Sequence, residues 1–147
     1  MMRRKTTLEV AHHIYQEVAS WIDARISGNV YPFDCRPMDS HDEDAIIIVS
    51  TATADQIQEG RAKINIYVAD IDNGSGRNVP NIERLQEIAR YDEDIVNALN
   101  ESANRDYLWD LSQATEVIAD TAIGQHFVNI SLSFKSITFY KLKYYGR

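Results

Sequence analysis

The chain has 147 residues, of which 44% are apolar and 25% are charged, and its formal net charge at pH 7 is −7. This composition is typical of a globular domain and excludes collagen-like and low-complexity chains. At about 100–200 residues per domain, the length predicts one domain over residues 1–147, with a compact core over residues 6–134. A run of about 18 apolar residues is lacking, so we expect no membrane-spanning helix.

The charges are unevenly placed along the chain. All the acidic residues lie between Glu9 and Asp120, whereas both ends are basic. An acidic body repels nucleic-acid phosphate at short range, so we expect no sequence-specific nucleic-acid binding. The basic ends suit either contact with an acidic partner or plain solvation.

The first predicted element is a helix over residues 6–26. Its apolar residues recur three and four positions apart, from Leu8 onward. Thr6 followed by Glu9 has the form of a capping box. Gly28 lies just beyond, where a left-handed residue commonly ends a helix.

A short strand is predicted next, over residues 30–33. Pro32 confines it to a sheet edge, because proline donates no ladder hydrogen bond. An acidic loop over residues 34–44 follows. The segment AIIIVST, residues 45–51, is apolar on both alternating faces, which predicts a strand covered on both sides. Helices could cover one side; a loop, a terminus or a second subunit would have to cover the other.

The middle of the chain predicts a strand, a loop and a helix. Residues 61–70 alternate between apolar and polar, which predicts a half-buried strand in a long hairpin with residues 45–51. Residues 71–80 contain two glycines among turn-prone residues and predict a flexible loop. A second helix is predicted over residues 81–99, where the acidic run 92–94 marks a kink or a restart.

Further strands are predicted in the last third of the chain. They lie at residues 106–112, 116–122, 126–134 and, as a strand or an arm, 137–145. Strands therefore cluster instead of alternating singly with helices. This order predicts an α+β fold, with an antiparallel sheet of four to six strands and two helices packed on one face.

Aromatic and basic residues are interleaved in the C-terminal segment 135–147. Such a pattern suits stacking on single-stranded bases. The acidic body favours another interpretation, in which this segment is a strand or an arm that docks on a neighbouring subunit.

Residue types that carry chemistry are present without the spacing of a known site. The acids within residues 39–44 fit no ordered pattern of metal ligands. Asp70 and Asp72 begin like a calcium loop, but Ser75 stands where that loop requires glycine. Cys35 has no histidine in a recognisable nucleophile–base arrangement. We therefore expect no catalytic, cofactor-binding or metal-binding residues.

A family resemblance depends on the order of several segments along the chain. The order is an amphipathic helix, NVYPFDCRP, AIIIVS, KINIYVAD, a loop, a helix and HFVNISLSF. Over most of residues 6–134 the chain resembles the tail-terminator or tail-completion proteins of long-tailed bacteriophages, including the lambda-type minor tail proteins. The family pattern brings no catalytic residue with it, and it does not predict the basic, aromatic end after residue 134.

The resemblance implies a non-enzymatic structural protein of a phage or prophage. Such proteins form rings, usually hexameric, that cap the tail tube and join it to the head. The implied partners are further copies of the chain, the tail-tube protein and the head-tail connector protein, in a virion assembled in the bacterial host cytoplasm. An acidic ring would let DNA pass without binding it.

An oligomer interface is predicted at apolar positions of the two-faced strand and at charged residues. The predicted interface residues are Ile47, Val49, Asp42, Asp44, Lys141 and Lys143. In this interpretation the lysines of one subunit pair with the acids of the next. A head-tail joining protein is a further possibility of the same class. The alternative from another class is a small α+β enzyme or ligand-binding domain with a site near residues 34–44.

Overall fold

The computed structural model describes residues 5–103 and 106–137. Its helices are α1 Thr7–Asp23, α2 Ile82–Ala89 and α3 Asp92–Asn100. Its strands are β1 Val30–Tyr31, β2 Ala45–Ala52, β3 Ile57–Ala69, β4 Ile71–Asp72, β5 Asn78–Val79, β6 Tyr107–Leu111, β7 Glu116–Asp120 and β8 Gln125–Ile137. The predicted α+β class is confirmed.

Six of the described strands form one sheet in the order β1-β2-β3-β8-β6, and β7 also pairs with β8. β6 and β7 lie end to end along the side of β8 that faces away from β3. The short β1 runs parallel to β2, whereas the other pairings are antiparallel. The sheet is therefore mixed, and it departs from the predicted antiparallel sheet at this edge. β1 ends immediately before Pro32, as an edge strand should.

The first helix begins as predicted and ends earlier. The Thr6 hydroxyl accepts from the Glu9 N–H at 3.1 Å, and the Glu9 carboxylate accepts from the Thr6 N–H at 2.9 Å. This reciprocal capping box is confirmed. The helix ends at Asp23, three residues before the predicted end.

Gly28 is needed for a close approach of two backbones, and the prediction that it is a left-handed helix cap is wrong. Its φ is not positive. Its N–H donates to the Glu43 carbonyl at 2.9 Å, and a Cβ at this position would collide with Glu43 and with Asp44. The chain after α1 is thereby held against the start of β2.

The second predicted helix is two helices. α2 ends at Ala89 and α3 begins at Asp92. The acidic run 92–94 occupies the first turn of α3, where negative side chains interact favourably with the helix dipole. The predicted interruption at this run is confirmed as a restart.

Residues 71–80, predicted as a loop, contain a small hairpin. β4 and β5 pair antiparallel through Ile71 with Val79 and Asp72 with Asn78. Gly74 and Gly76 have φ angles of 87° and 89° in the connection. The glycines that indicated flexibility here build a tight turn instead.

β3 and β8 are the longest strands of the sheet and pair along their whole length, from Ile57 with Ile137 to Ala69 with Gln125. Both are longer than the alternating patterns predicted. Gly60 lies opposite Phe134, and a Cβ there would lie 2.5 Å from the Phe134 Cζ atom. The aromatic ring therefore occupies the space of the missing side chain. Apart from Ile137, the predicted strand at 137–145 lies outside the described residues.

The core lies between the helices and one face of the sheet. Its strand residues are Ala45, Ile47, Ala62, Ile64, Ile66, Val68, Tyr107, Trp109, Val128, Ile130, Leu132 and Phe134. α1, α2 and α3 all bury apolar side chains against this face, as predicted for helices packed on one side. No helix in the described part of the chain is long and apolar enough to cross a membrane.

Candidate functional site

The acidic loop over residues 34–44 is folded onto the second face of the sheet, the face opposite the helices. The Arg36 guanidinium lies 4.2 Å from the centre of the Tyr67 ring on β3. It donates to Asp44 Oδ2 at 2.8 Å and to Gln125 Oε1 at 2.9 Å. A loop of the same chain therefore covers part of the second face, which is one of the coverings that the two-faced strand required.

The Asp44 carboxylate is used inside the subunit. Burial would raise its pKa, but hydrogen bonds from the Ser40 hydroxyl, the Asn29 N–H and Arg36 outweigh burial and lower the pKa below its ordinary value. The Asp44 side chain is only 1% exposed. This carboxylate already binds Arg36 in its own subunit, and its pairing with a lysine of the next subunit stays a prediction.

Glu43 fixes the same loop to helix α2. Arg84 donates from Nε and Nη2 to its two carboxylate oxygens at 2.7 and 2.8 Å, a bidentate pair. Arg84 Nη2 also donates to the Arg25 carbonyl at 2.6 Å. The hydrogen bond from Arg84 lowers the pKa of Glu43. The end of α1, the loop and α2 are thus tied together on this side of the molecule.

The residues considered for catalysis or metal binding are dispersed. Among the described residues, no three His, Cys, Asp or Glu side chains are grouped so that they could hold a metal ion. Cys35 is exposed. His126 pairs with Asp70 at 2.7 Å, and His13 is stacked on Tyr107 with ring centres 4.4 Å apart. The absence of catalysis and of a metal stays a prediction.

The predicted interface residues differ in accessibility. The Ile47 side chain has no exposed surface and packs in the core, and its position at an interface stays a prediction. Val49 is half-buried and Asp42 is exposed, so both are accessible to a partner. Lys141 and Lys143 lie outside the described residues.

The outer side of β2 is open beyond the end of β1. β1 pairs only with Ala45 and Ile46. The Tyr67 N–H donates to the Asp44 carbonyl at 2.8 Å. The backbone N–H and C=O groups of the even-numbered residues from Asp44 into β2 therefore point toward β3. Successive residues of a strand direct their backbone groups to opposite edges, and the N–H and C=O of Val49 therefore point outward. In the described part of the chain, this stretch is an edge to which another strand can pair.

A hollow of about 180 Å³ lies beside this edge. It is lined by the first turns of α1, by the segment after β1 and by β2: Thr7, Leu8, Ala11, Phe33, Asp34, Ile47, Ile48 and Val49. The periodicity predicts Leu8 in the core, yet its side chain is 62% exposed. We call the outer side of β2 from Ile47 to Val49, together with this hollow, the edge site.

One acidic side chain lines the edge site, and further acids follow in the same loop. Asp34 lines the hollow, and Asp39 and Asp42 follow in the same loop. All three are exposed, and no salt bridge to their carboxylates occurs among the residues that the structure describes. The edge site therefore offers apolar contact area next to uncompensated negative charge.

Leu8, Phe33 and Asp34 were not predicted as members of a surface site. The available signal was Pro32, which ends β1 after two residues and so leaves the rest of β2 without a neighbour on that side. The position of α1 over this edge is a tertiary relationship that no local pattern encodes.

Comparison with known proteins adds a likeness in fold. No family model matches the chain, and no curated protein matches it. Eleven chains of solved structure match it. One of them, whose name describes no function, is 14% identical with a TM-score of 0.51, over 94% of this chain and 96% of the other. At this identity the similarity concerns the fold alone.

Proposed function

We propose that this chain is a non-enzymatic structural protein of a phage or prophage, a subunit of a ring that caps the tail tube and joins it to the head connector. The observation that carries the proposal is the edge site. Its outward-facing backbone groups, apolar hollow and adjacent acids are the features of a surface at which another protein chain adds to a sheet.

The order of elements supports the same proposal. The resemblance to tail terminators depends on a helix, a short strand, an apolar strand, an alternating strand, a helix and a closing strand. α1, β1, β2, β3, α2 and β8 follow one another in this order. The folded chain therefore keeps the order of elements on which the resemblance depends.

Exposed apolar side chains also lie at the opposite edge of the sheet. Leu108 of β6 is 62% exposed, and Val117 and Ile118 of β7 are 45% and 37% exposed. β2 and β6 are separated by β3 and β8 in the sheet. Contact between two different patches on successive copies is heterologous, and it generates a closed ring when the rotation between copies closes. Apolar side chains exposed at both edges of the sheet favour a ring over a symmetric dimer.

The charge of the chain suits a ring through which DNA passes. The formal net charge is −7, and an acidic wall offers phosphates no contact that releases counterions. In this proposal the partners are further copies of the chain, the tail-tube protein and the connector, within a virion assembled in the host cytoplasm.

The mass of the full chain in solution, followed by negative-stain imaging, tests the ring. We expect assembly that increases with protein concentration and closed rings of uniform diameter. Symmetric dimers at every concentration, or open filaments without rings, would contradict the proposal.

A further inference from the structure

Residues 138–147, TFYKLKYYGR, match the chemistry of the edge site. Tyr140, Leu142 and Tyr144 alternate with Lys141 and Lys143. In an extended strand, alternate side chains lie on opposite faces. Such a strand would therefore present an aromatic and apolar face and a basic face.

The edge site has the complementary faces. On the helix side of β2, the hollow is lined by Ala11, Ile47 and Val49. On the loop side, the exposed carboxylate of Asp34 is without a salt bridge among the described residues. We propose that residues 138–147 of a second copy of this chain pair along the outer edge of β2, with the tyrosines toward the hollow and the lysines toward the Asp34 carboxylate. This proposal rests on the ring of the proposed function and names the contact that builds it.

The end of the described chain favours a second copy over the same copy. Ile137 pairs with Ile57 on β3, so the segment starts two strands inside the β2 edge. To reach Val49 in its own copy, the segment would have to pass the β2–β3 connection and then run back along β2. Val49 pairs with Ala62, which lies five residues from Ile57 along β3. At about 4.8 Å between strands and 3.3 Å per residue, that path is about 30 Å.

Ten residues span at most about 33–36 Å when fully extended. Reaching Val49 in the same copy would therefore use nearly the whole segment in the crossing. The residues whose pattern matches the edge site would lie elsewhere. A neighbouring copy needs no such crossing, because the described chain ends at Ile137 beside β6, on the side of the sheet opposite β2.

Disulfide trapping between two different full-length chains tests this contact. In a Cys35→Ser background, one chain carries Val49→Cys and the other carries Tyr140→Cys, Leu142→Cys or Tyr144→Cys. We expect at least one of the three pairs to form mixed disulfide dimers on mild oxidation. The matched control replaces Val49→Cys by Glu101→Cys, an exposed position at the end of α3, away from β2.

The proposal is overturned if none of the three pairs gives more mixed disulfide dimer than the Glu101→Cys control. The proposal is also overturned if a chain carrying both cysteines closes only an internal disulfide, because that outcome places the segment on its own copy. The trapping requires no tail tube. A negative result therefore leaves the capping proposal open, and a chain that cross-links but does not cap refutes capping alone.

Charge reversal gives a second measurement that leaves the core intact. Asp34→Lys should weaken self-association by about fivefold at low salt, because it removes the carboxylate that faces the lysines. The effect is modest and limited to low salt, since exposed ion pairs contribute little each and are screened by salt. Lys141→Glu with Lys143→Glu in the same chain as Asp34→Lys should restore it. Glu101→Lys should leave association unchanged. Equal association of all these variants would contradict the assigned contact.

Discussion

Arg36 and Asp44 form an ion pair of 2.8 Å whose side chains are 7% and 1% exposed. Arg36 also reaches Gln125 at the start of β8, 89 positions further along the chain. This pair holds the acidic loop on the sheet and positions Asp34 beside the edge site. The loop is therefore part of the fold, and its remaining exposed acids are available to a partner.

Removal of Arg36 should be strongly destabilising. Arg36→Leu leaves the buried Asp44 carboxylate without its cation, which typically costs about 3–5 kcal/mol. Urea unfolding at pH 7 measures the change. Arg77→Leu, at an exposed arginine of the small hairpin, is the matched control and should change the free energy of unfolding by less than about 0.5 kcal/mol. A loss below about 1 kcal/mol for Arg36→Leu would show that the loop is not held by this pair.

Stability should fall as the pH drops below the ordinary pKa of histidine, 6.5. Burial, the largest effect, lowers the pKa of His13; Glu17 and Asp106 raise it and Lys5 lowers it further. Below pH 6.5 the unfolded chain then binds a proton that the folded chain does not, so the free energy of unfolding decreases with falling pH.

Replacement of this histidine should flatten that dependence. While His13 stays neutral in the folded chain, each pH unit below 6.5 removes up to about 1.4 kcal/mol. His13→Phe should reduce the slope between pH 5 and 6.5 in urea unfolding, whereas His12→Phe, at the exposed neighbouring position, should retain it. Equal slopes in both variants would mean that His13 is not the group responsible.

The two faces of β3 should respond differently to truncation. Ile66 faces the helices and has no exposed surface, whereas Lys63 is exposed on the second face. Ile66→Ala should cost about 2–5 kcal/mol through lost burial and a cavity, and Leu132→Ala on β8 should behave alike. Lys63→Ala should change the free energy of unfolding little. Unfolding midpoints that do not shift for Ile66→Ala and Leu132→Ala would contradict the orientation of the sheet.

Gly60 should tolerate no side chain. A Cβ at this position would meet the Thr51 carbonyl and the Phe134 ring, and such overpacking typically costs about 1–3 kcal/mol. Gly60→Ala should therefore lower the thermal midpoint. Phe134→Leu in the same chain should not restore it, since the Thr51 carbonyl is backbone and stays in place. If the thermal midpoint recovers in the double variant, the collision with the Phe134 ring alone causes the destabilisation.

The sequence predicted elements whose side-chain pattern is strong on its own. α1, β3 and β8 each carry one apolar face, and the faces of the two strands meet in the register from Ile66 with Val128 to Ala62 with Leu132. The ends of the strands were less predictable. β3 and β8 pair with each other beyond the residues whose side chains alternate, and this pairing lengthens both strands.

The edge site could not be predicted as a unit. It combines Leu8 from α1, Phe33 from the segment after β1, and Val49 from β2, residues that only the fold brings together. Ile47 was predicted at an interface because β2 is apolar on both faces, but one of those faces belongs to the core. Asp44 was predicted to be exposed because an acidic loop is usually solvated, whereas Arg36 buries it.

We propose that this chain ends the growth of a tail tube. The direct measurement is the length of tubes polymerised from the tail-tube protein of the same phage, imaged with and without the full chain. We predict that added chain binds at one tube end and stops elongation, and that Asp34→Lys does so less well than Glu101→Lys. Tubes that reach the same lengths and carry no bound chain would contradict the account.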